Sequence, residues 1–172
     1  MSGENPHRPG FGLGQLRSLG KLAGQARELI GDYFHLADDG PRSIPAEVRT
    51  LAELEAGEIH PAGVLADLAR YEWVDTRMGR KRDLYRVNLQ DHNILRRVQA
   101  RGVDLPPLLL YVLTHELVHV VRFVKFLAPF HQSGEEREAE ERRVHAQTRE
   151  ILARVPLPGL GRILERYREF SG

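Results

Sequence analysis

The chain has no cysteine, which excludes disulfide frameworks, thiolate metal sites and thiol nucleophiles together, and leaves histidine and carboxylate as its strong metal ligands. It has no excess of either charge. With 25 Lys and Arg against 24 Asp and Glu, no global field points to nucleic acid or a membrane surface, and neither is expected as a partner. It has no apolar leader segment: residues 1–14 contain several Gly and Pro and read as a loosely attached tail, so cytoplasmic residence is the expectation. It has no long apolar run free of ionisable groups. The one candidate, residues 107–130, carries His115, Glu116, His119, Arg122 and Lys125, and reads as a central buried helix in preference to a membrane span. Finally, no aspartate follows Asp104 and no methionine follows Met78.

What remains fits one compact domain over residues 15–172, with 41% apolar residues to build its core. Leu16, Leu19, Leu22, Ala26, Leu29, Ile30 and Phe34 recur at helical spacing and predict an amphipathic helix over 15–36. Two short helices, 45–54 and 61–71, are expected because each stretch opens with a proline suited to a first helical turn. Residues 72–76 and 83–90 alternate in the manner of strands and flank the basic segment Arg77, Arg80, Lys81 and Arg82, which reads as a solvated hairpin turn. Asp91 is placed to cap a helix over 92–100, with His92 and Asn93 polar enough to line a cleft. The central helix is expected over about 107–129, another over about 135–155, and a last one over 160–170. The fold class is therefore α+β, mostly helical, with a small antiparallel or mixed sheet beside the central helix.

Within that central helix stands His115-Glu116-Leu117-Val118-His119, an HExxH pattern. Residues four apart stack on one helical face, so both imidazoles can reach one tetrahedral ion while Glu116 projects beside it. Zinc lowers the pKa of a bound water to about 7, and a carboxylate within reach can then accept its proton as general base. Two histidines and a glutamate in an apolar helix are costly to bury without such a purpose or a dense hydrogen-bond network. A site of this kind needs a third ligand from elsewhere. A metzincin-type continuation would place Gly at position 122 and His at 125, where the chain has Arg122 and Lys125. With aspartate absent downstream, the third ligand is a glutamate or His145. Val144, Thr148, Ile151, Leu152 and Val155 mark the buried stripe of the 135–155 helix, and Glu141 lies about 30° from its centre, against about 70° to 90° for Glu138 and Glu140. Glu141 is accordingly expected as the buried third ligand. His145, one turn on, is expected as its partner or as the group that stabilises a developing oxyanion.

These residues resemble the zincin metallopeptidases of the gluzincin type, in which HExxH on an active-site helix is followed by a glutamate helix bearing the third ligand. The short chain looks most like the single-domain minigluzincins. The resemblance implies a zinc endopeptidase acting on peptide or protein substrates: His115, His119 and Glu141 hold Zn2+, and Glu116 and His145 carry the chemistry. It also implies a twisted sheet whose edge strand binds extended substrate. The strand 83–90 is the candidate, with Tyr85, Arg86 and Val87 as substrate contacts. A second reading keeps the metal but not the turnover: a silent or latent zincin-like binding or regulatory module.

Overall fold

The computed structural model describes residues 8–36 and 44–168. Helix α1 spans Leu13–Tyr33 and buries Leu19, Leu22, Ala26 and Ile30, the stripe its spacing predicts. The tail expected to end at Gly14 is fastened before that point. Phe11 is buried in the core and its backbone N–H donates to Asp91 Oδ2 at 3.0 Å. Residues 1–7 of the expected tail lie outside the described residues.

The two short helices expected at 45–54 and 61–71 are replaced by strand β1 (Ala46–Arg49), two 3-10 turns (Leu51–Glu53 and Ala56–Glu58) and the first half of strand β2 (Ala66–Asp75). Pro45 and Pro61 imitate helix-opening prolines, but pairing across the sheet decides these segments. The Pro45 carbonyl accepts from the Tyr85 N–H at 2.8 Å, which starts β1 alongside strand β3 (Arg80–Leu89) in parallel register, Ala46 opposite Tyr85. On the other flank β2 and β3 form a long antiparallel hairpin, Ala66 opposite Leu89. The strand order is β1-β3-β2, a mixed sheet with β3 in the middle.

Helix α2 spans Asp91–Arg101 and stops where Gly102 takes φ 59°, a left-handed conformation that glycine adopts without steric cost. Asp91 does not cap this helix from outside. It is the first helical residue, and its carboxylate accepts the N–H groups of Phe11 and Leu51, tying three segments together. Helix α3 (Leu105–Val124) is buried on nearly every side, touching all four other helices as well as β2 and β3. Although long and apolar enough to cross a membrane, it has 83% of its apolar window inside the protein. It ends five residues earlier than expected, and Phe126 follows at φ 55°. Helix α4 (Gly134–Leu152) opens with Ser133, whose N–H donates to Glu136 Oε2 at 2.8 Å in a capping box. Helix α5 (Leu160–Arg166) closes the chain's described part; of the helix expected over 160–170, residues 169 and 170 lie outside it. The architecture is α+β.

Candidate metal centre

Tyr111, His115, His119 and Phe123 follow one another at intervals of four along α3 and so share one face, the face turned toward α4 and the start of β2. His115 and His119 have side chains only 11% and 9% exposed. Glu141 reaches them from α4. Its Oε2 lies 3.2 Å from His115 Nε2 and its Oε1 lies 3.1 Å from His119 Nε2.

Glu141 is brought there by its neighbour. Arg122 on α3 pairs through Nε and Nη2 with both oxygens of Glu140, the second contact at 3.0 Å, and its Nη1 donates to Gln147 at 3.1 Å. This bidentate clamp fixes the rotation of α4 against α3, and the adjacent residue then faces the histidines. The buried carboxylate of α4 is therefore Glu140, not Glu141, contrary to expectation. A long guanidinium can meet a carboxylate on the margin of an apolar stripe, so the stripe is wider than its apolar residues alone suggest. Glu138 points to solvent, and Glu140 is spoken for, which leaves Glu141 and His145 beside the histidine pair.

His145 stands on the other side of His115, ring centroids 4.4 Å apart, with Nε2 3.9 Å from Glu141 Oε2 and Nδ1 2.6 Å from the Tyr111 hydroxyl. Tyr167 stacks on Tyr111 at 4.4 Å. Ligand atoms of His115, Glu141 and His145 all lie within 4.8 Å of one another. Two overlapping three-residue sets thus share His115 and Glu141, one completed by His119 and the other by His145. The separations favour His119, which is closer to Glu141 by 0.8 Å, the difference between 3.9 and 3.1 Å. Glu141 meets the two histidines through different oxygens, Oε2 toward His115 at 3.2 Å and Oε1 toward His119 at 3.1 Å, so its carboxylate spans the pair. The Nδ1 atoms of both His115 and His119 are buried without a hydrogen-bond partner among the described residues.

The electrostatics follow the geometry. Burial opposes the charge on Glu141, but hydrogen bonds from His115 and His119 prevail and hold its carboxyl well below the usual range. Burial likewise works against charge on His119, yet Glu141 and Glu116 outweigh it and raise its pKa. His145 is pushed down to about 4, by burial first and then by His115, and so stays neutral. Burial raises the pKa of Glu116, which makes no hydrogen bond or ion pair among the described residues.

Glu116 and His115 line two cavities that meet at them. One, about 320 Å3, runs toward Val64, Arg97, Tyr111, His145 and Tyr167; the other, about 560 Å3, runs toward Leu68, Phe123, Phe130, His131 and Arg137. A larger hollow of about 640 Å3 between the end of α2 and α5 is lined by Arg101, Arg162, Arg166 and Arg168 and contains none of these histidines.

The expected substrate contacts are elsewhere. Tyr85 and Val87 are buried in the core, and Arg86 pairs with Glu47 and lies over the Tyr71 ring at 3.9 Å. Residues 85–88 of β3 are paired with β1 on one side and β2 on the other, so this backbone has nothing to offer a peptide. The open edge beside the cavities belongs to β2. Leu65 O accepts from Gln90 N at 2.9 Å, and the alternation of an antiparallel ladder then aims the backbone groups of Ala66 and Leu68 away from β3, to the open edge.

Sequence reasoning missed Tyr111, although its place one turn before His115 was a readable signal. It also missed the loop that starts β2. Asn93 Nδ2 donates to the carbonyls of Pro61 and Val64 at 2.8 Å each, and His92 Nε2 lies 3.1 Å from the His60 carbonyl. His92 and Asn93 therefore fasten the cleft wall from beneath. Comparison with family models, curated proteins and solved structures returns no match.

Proposed function

We propose that the chain is a zinc-dependent peptidase of the gluzincin type, with His115, His119 and Glu141 as ligands. The observation that carries this reading is the placement of Glu141 between the two Nε2 atoms, with the unpaired Glu116 beside them where two cavities meet. The donor chemistry fits: two imidazoles and a carboxylate suit zinc. A bound zinc ion would act as a Lewis acid toward the scissile carbonyl and acidify water.

The protein's own groups supply the rest. Ala66 and Leu68 present backbone N–H and C=O groups to an extended peptide, which adds as a strand to the β2 edge. Glu116 accepts a proton from water as its oxygen attacks the carbonyl carbon, then delivers that proton to the amine nitrogen as the C–N bond breaks. His145 is neutral, and in the tautomer whose Nδ1 accepts from the Tyr111 hydroxyl its Nε2 bears the hydrogen that can be given to the developing oxyanion. Among the described residues, the half-buried Glu116 has no hydrogen-bond or ion-pair partner and faces both cavities, which favours an enzyme over a module that keeps zinc for stability alone.

The test pairs metal analysis with hydrolysis of an unfolded protein by wild type, Glu116→Ala and His119→Ala. Glu116→Ala is expected to keep zinc and lose about 10²- to 10⁴-fold in rate, and His119→Ala to lose both. Zinc bound by wild type, with no cleavage under varied conditions, would leave a metal-binding module.

A further inference from the structure

The smaller cavity ends at Arg97, a half-buried residue of α2 whose Nη1 donates to the Tyr167 hydroxyl at 3.4 Å. Among the described residues no carboxylate pairs with this guanidinium, whereas Arg49 pairs with Glu58, Arg86 with Glu47 and Arg122 with Glu140; the half-buried Arg27 and Arg149 donate to backbone carbonyls. Arg101, one helical turn further along α2, lines the separate hollow beside α5. A cavity that runs from Glu116 to a guanidinium with no described carboxylate on it can receive an anion from whatever lies across the site.

The direction of the substrate decides which part of it arrives there. Strand β2 begins beside the smaller cavity, where Gly63 to Ala66 form the wall, and proceeds along the larger one, where Ala66 to Leu68 do so. A peptide adding antiparallel to β2 must run the other way. Its residues before the scissile bond occupy the larger cavity, and those after the bond enter the smaller one, chain end last. A parallel peptide would bring its amino terminus to Arg97, where like charges repel.

We propose that Arg97 binds a substrate carboxylate on the C-terminal side of the scissile bond, so that the enzyme favours cleavage close to a free chain end or before an acidic residue. This rests on the peptidase reading for the position of the scissile bond, but not for the binding itself. Arg97 is a specificity-determining residue; it takes no part in proton transfer. The cavity's volume of about 320 Å3 is near the lower limit for ligand pockets and accommodates a short piece of peptide.

The test uses the full chain loaded with zinc and carrying Glu116→Gln, titrated calorimetrically with three acetylated peptides of one apolar sequence. The first ends in a free carboxylate, the second in a carboxamide, and the third is the carboxamide with one glutamate near its end. At least about tenfold tighter binding is expected for the first over the second if the chain end is read, or for the third over the second if a side chain is read. Adding Arg97→Gln is expected to bring that ratio close to one, and Arg97→Lys to restore part of it. Equal binding of all three peptides overturns the proposal without needing any variant to fold, and so does a preference that survives Arg97→Gln. The peptidase reading is judged apart, on the chain with Glu116 intact. Cleavage of acid and amide at equal kcat/KM in wild type and Arg97→Gln removes Arg97 and keeps the peptidase. Binding that depends on Arg97 without cleavage keeps Arg97 and removes the peptidase.

Discussion

Arg122 and Glu140 face each other across the contact of α3 with α4, and one turn away His119 and Glu141 do the same, but the two pairs are satisfied to different degrees. Arg122 places three nitrogens on acceptors, and Glu140 is met by Arg143 as well, at 3.5 Å. His119 and His115 leave Nδ1 without a partner, Glu141 is 43% exposed, and Glu116 has no bond among the described residues. Closed polar networks hold helices in register, whereas open ones of this composition mark where something else binds. The first pair thus sets the geometry that the second uses.

The largest effect should come from breaking the closed pair. Glu140→Ala is expected to cost about 3–5 kcal/mol in urea unfolding, because it strands the Arg122 guanidinium in the core. In metal-free protein Glu141→Ala should cost about 1 kcal/mol or less, since that carboxylate is partly solvated. Equal losses would erase the distinction between the two pairs. Adding zinc sharpens the contrast. At about a hundredfold its Kd, zinc should stabilise wild type by about 2.7 kcal/mol, seen as a rise in the unfolding midpoint, and give Glu141→Ala much less. Tyr111→Phe is a smaller perturbation. Losing the hydroxyl beside His145 should cost about 0.5–1.5 kcal/mol of stability and slow hydrolysis while zinc affinity is unchanged. Least of all, Arg86→Ala should move stability by about 0.5 kcal/mol and leave KM as it was, because its partner Glu47 lies on the sheet's solvent side.

These contrasts also explain which features were legible beforehand. His115, Glu116 and His119 stand at fixed helical spacing, so local periodicity sufficed to group them; the phase of α4 pointed to Glu141 as its buried carboxylate, whereas Glu141 lies beside the histidines half-exposed. Glu140 was not legible as the buried residue, because its burial depends on the length of Arg122, a side chain on another helix. Strand β1 and the first half of β2 were misread for a related reason. Their extended form is set by pairing with β3, some twenty to forty residues away for the pairs Ala66 with Leu89 and Ala46 with Tyr85, and Pro45 and Pro61 carry the local signature of helix starts. The same long-range pairing turned the expected edge strand into the central one, so the open edge beside the cavities belongs to Ala66 and Leu68 of β2 in place of Tyr85, Arg86 and Val87.

The most direct measurement is zinc stoichiometry by native mass spectrometry on wild type, His119→Ala, Glu141→Ala and Glu116→Gln. One zinc per chain is expected in wild type and Glu116→Gln, with loss in the other two. Zinc retained at full occupancy by both His119→Ala and Glu141→Ala would contradict the account.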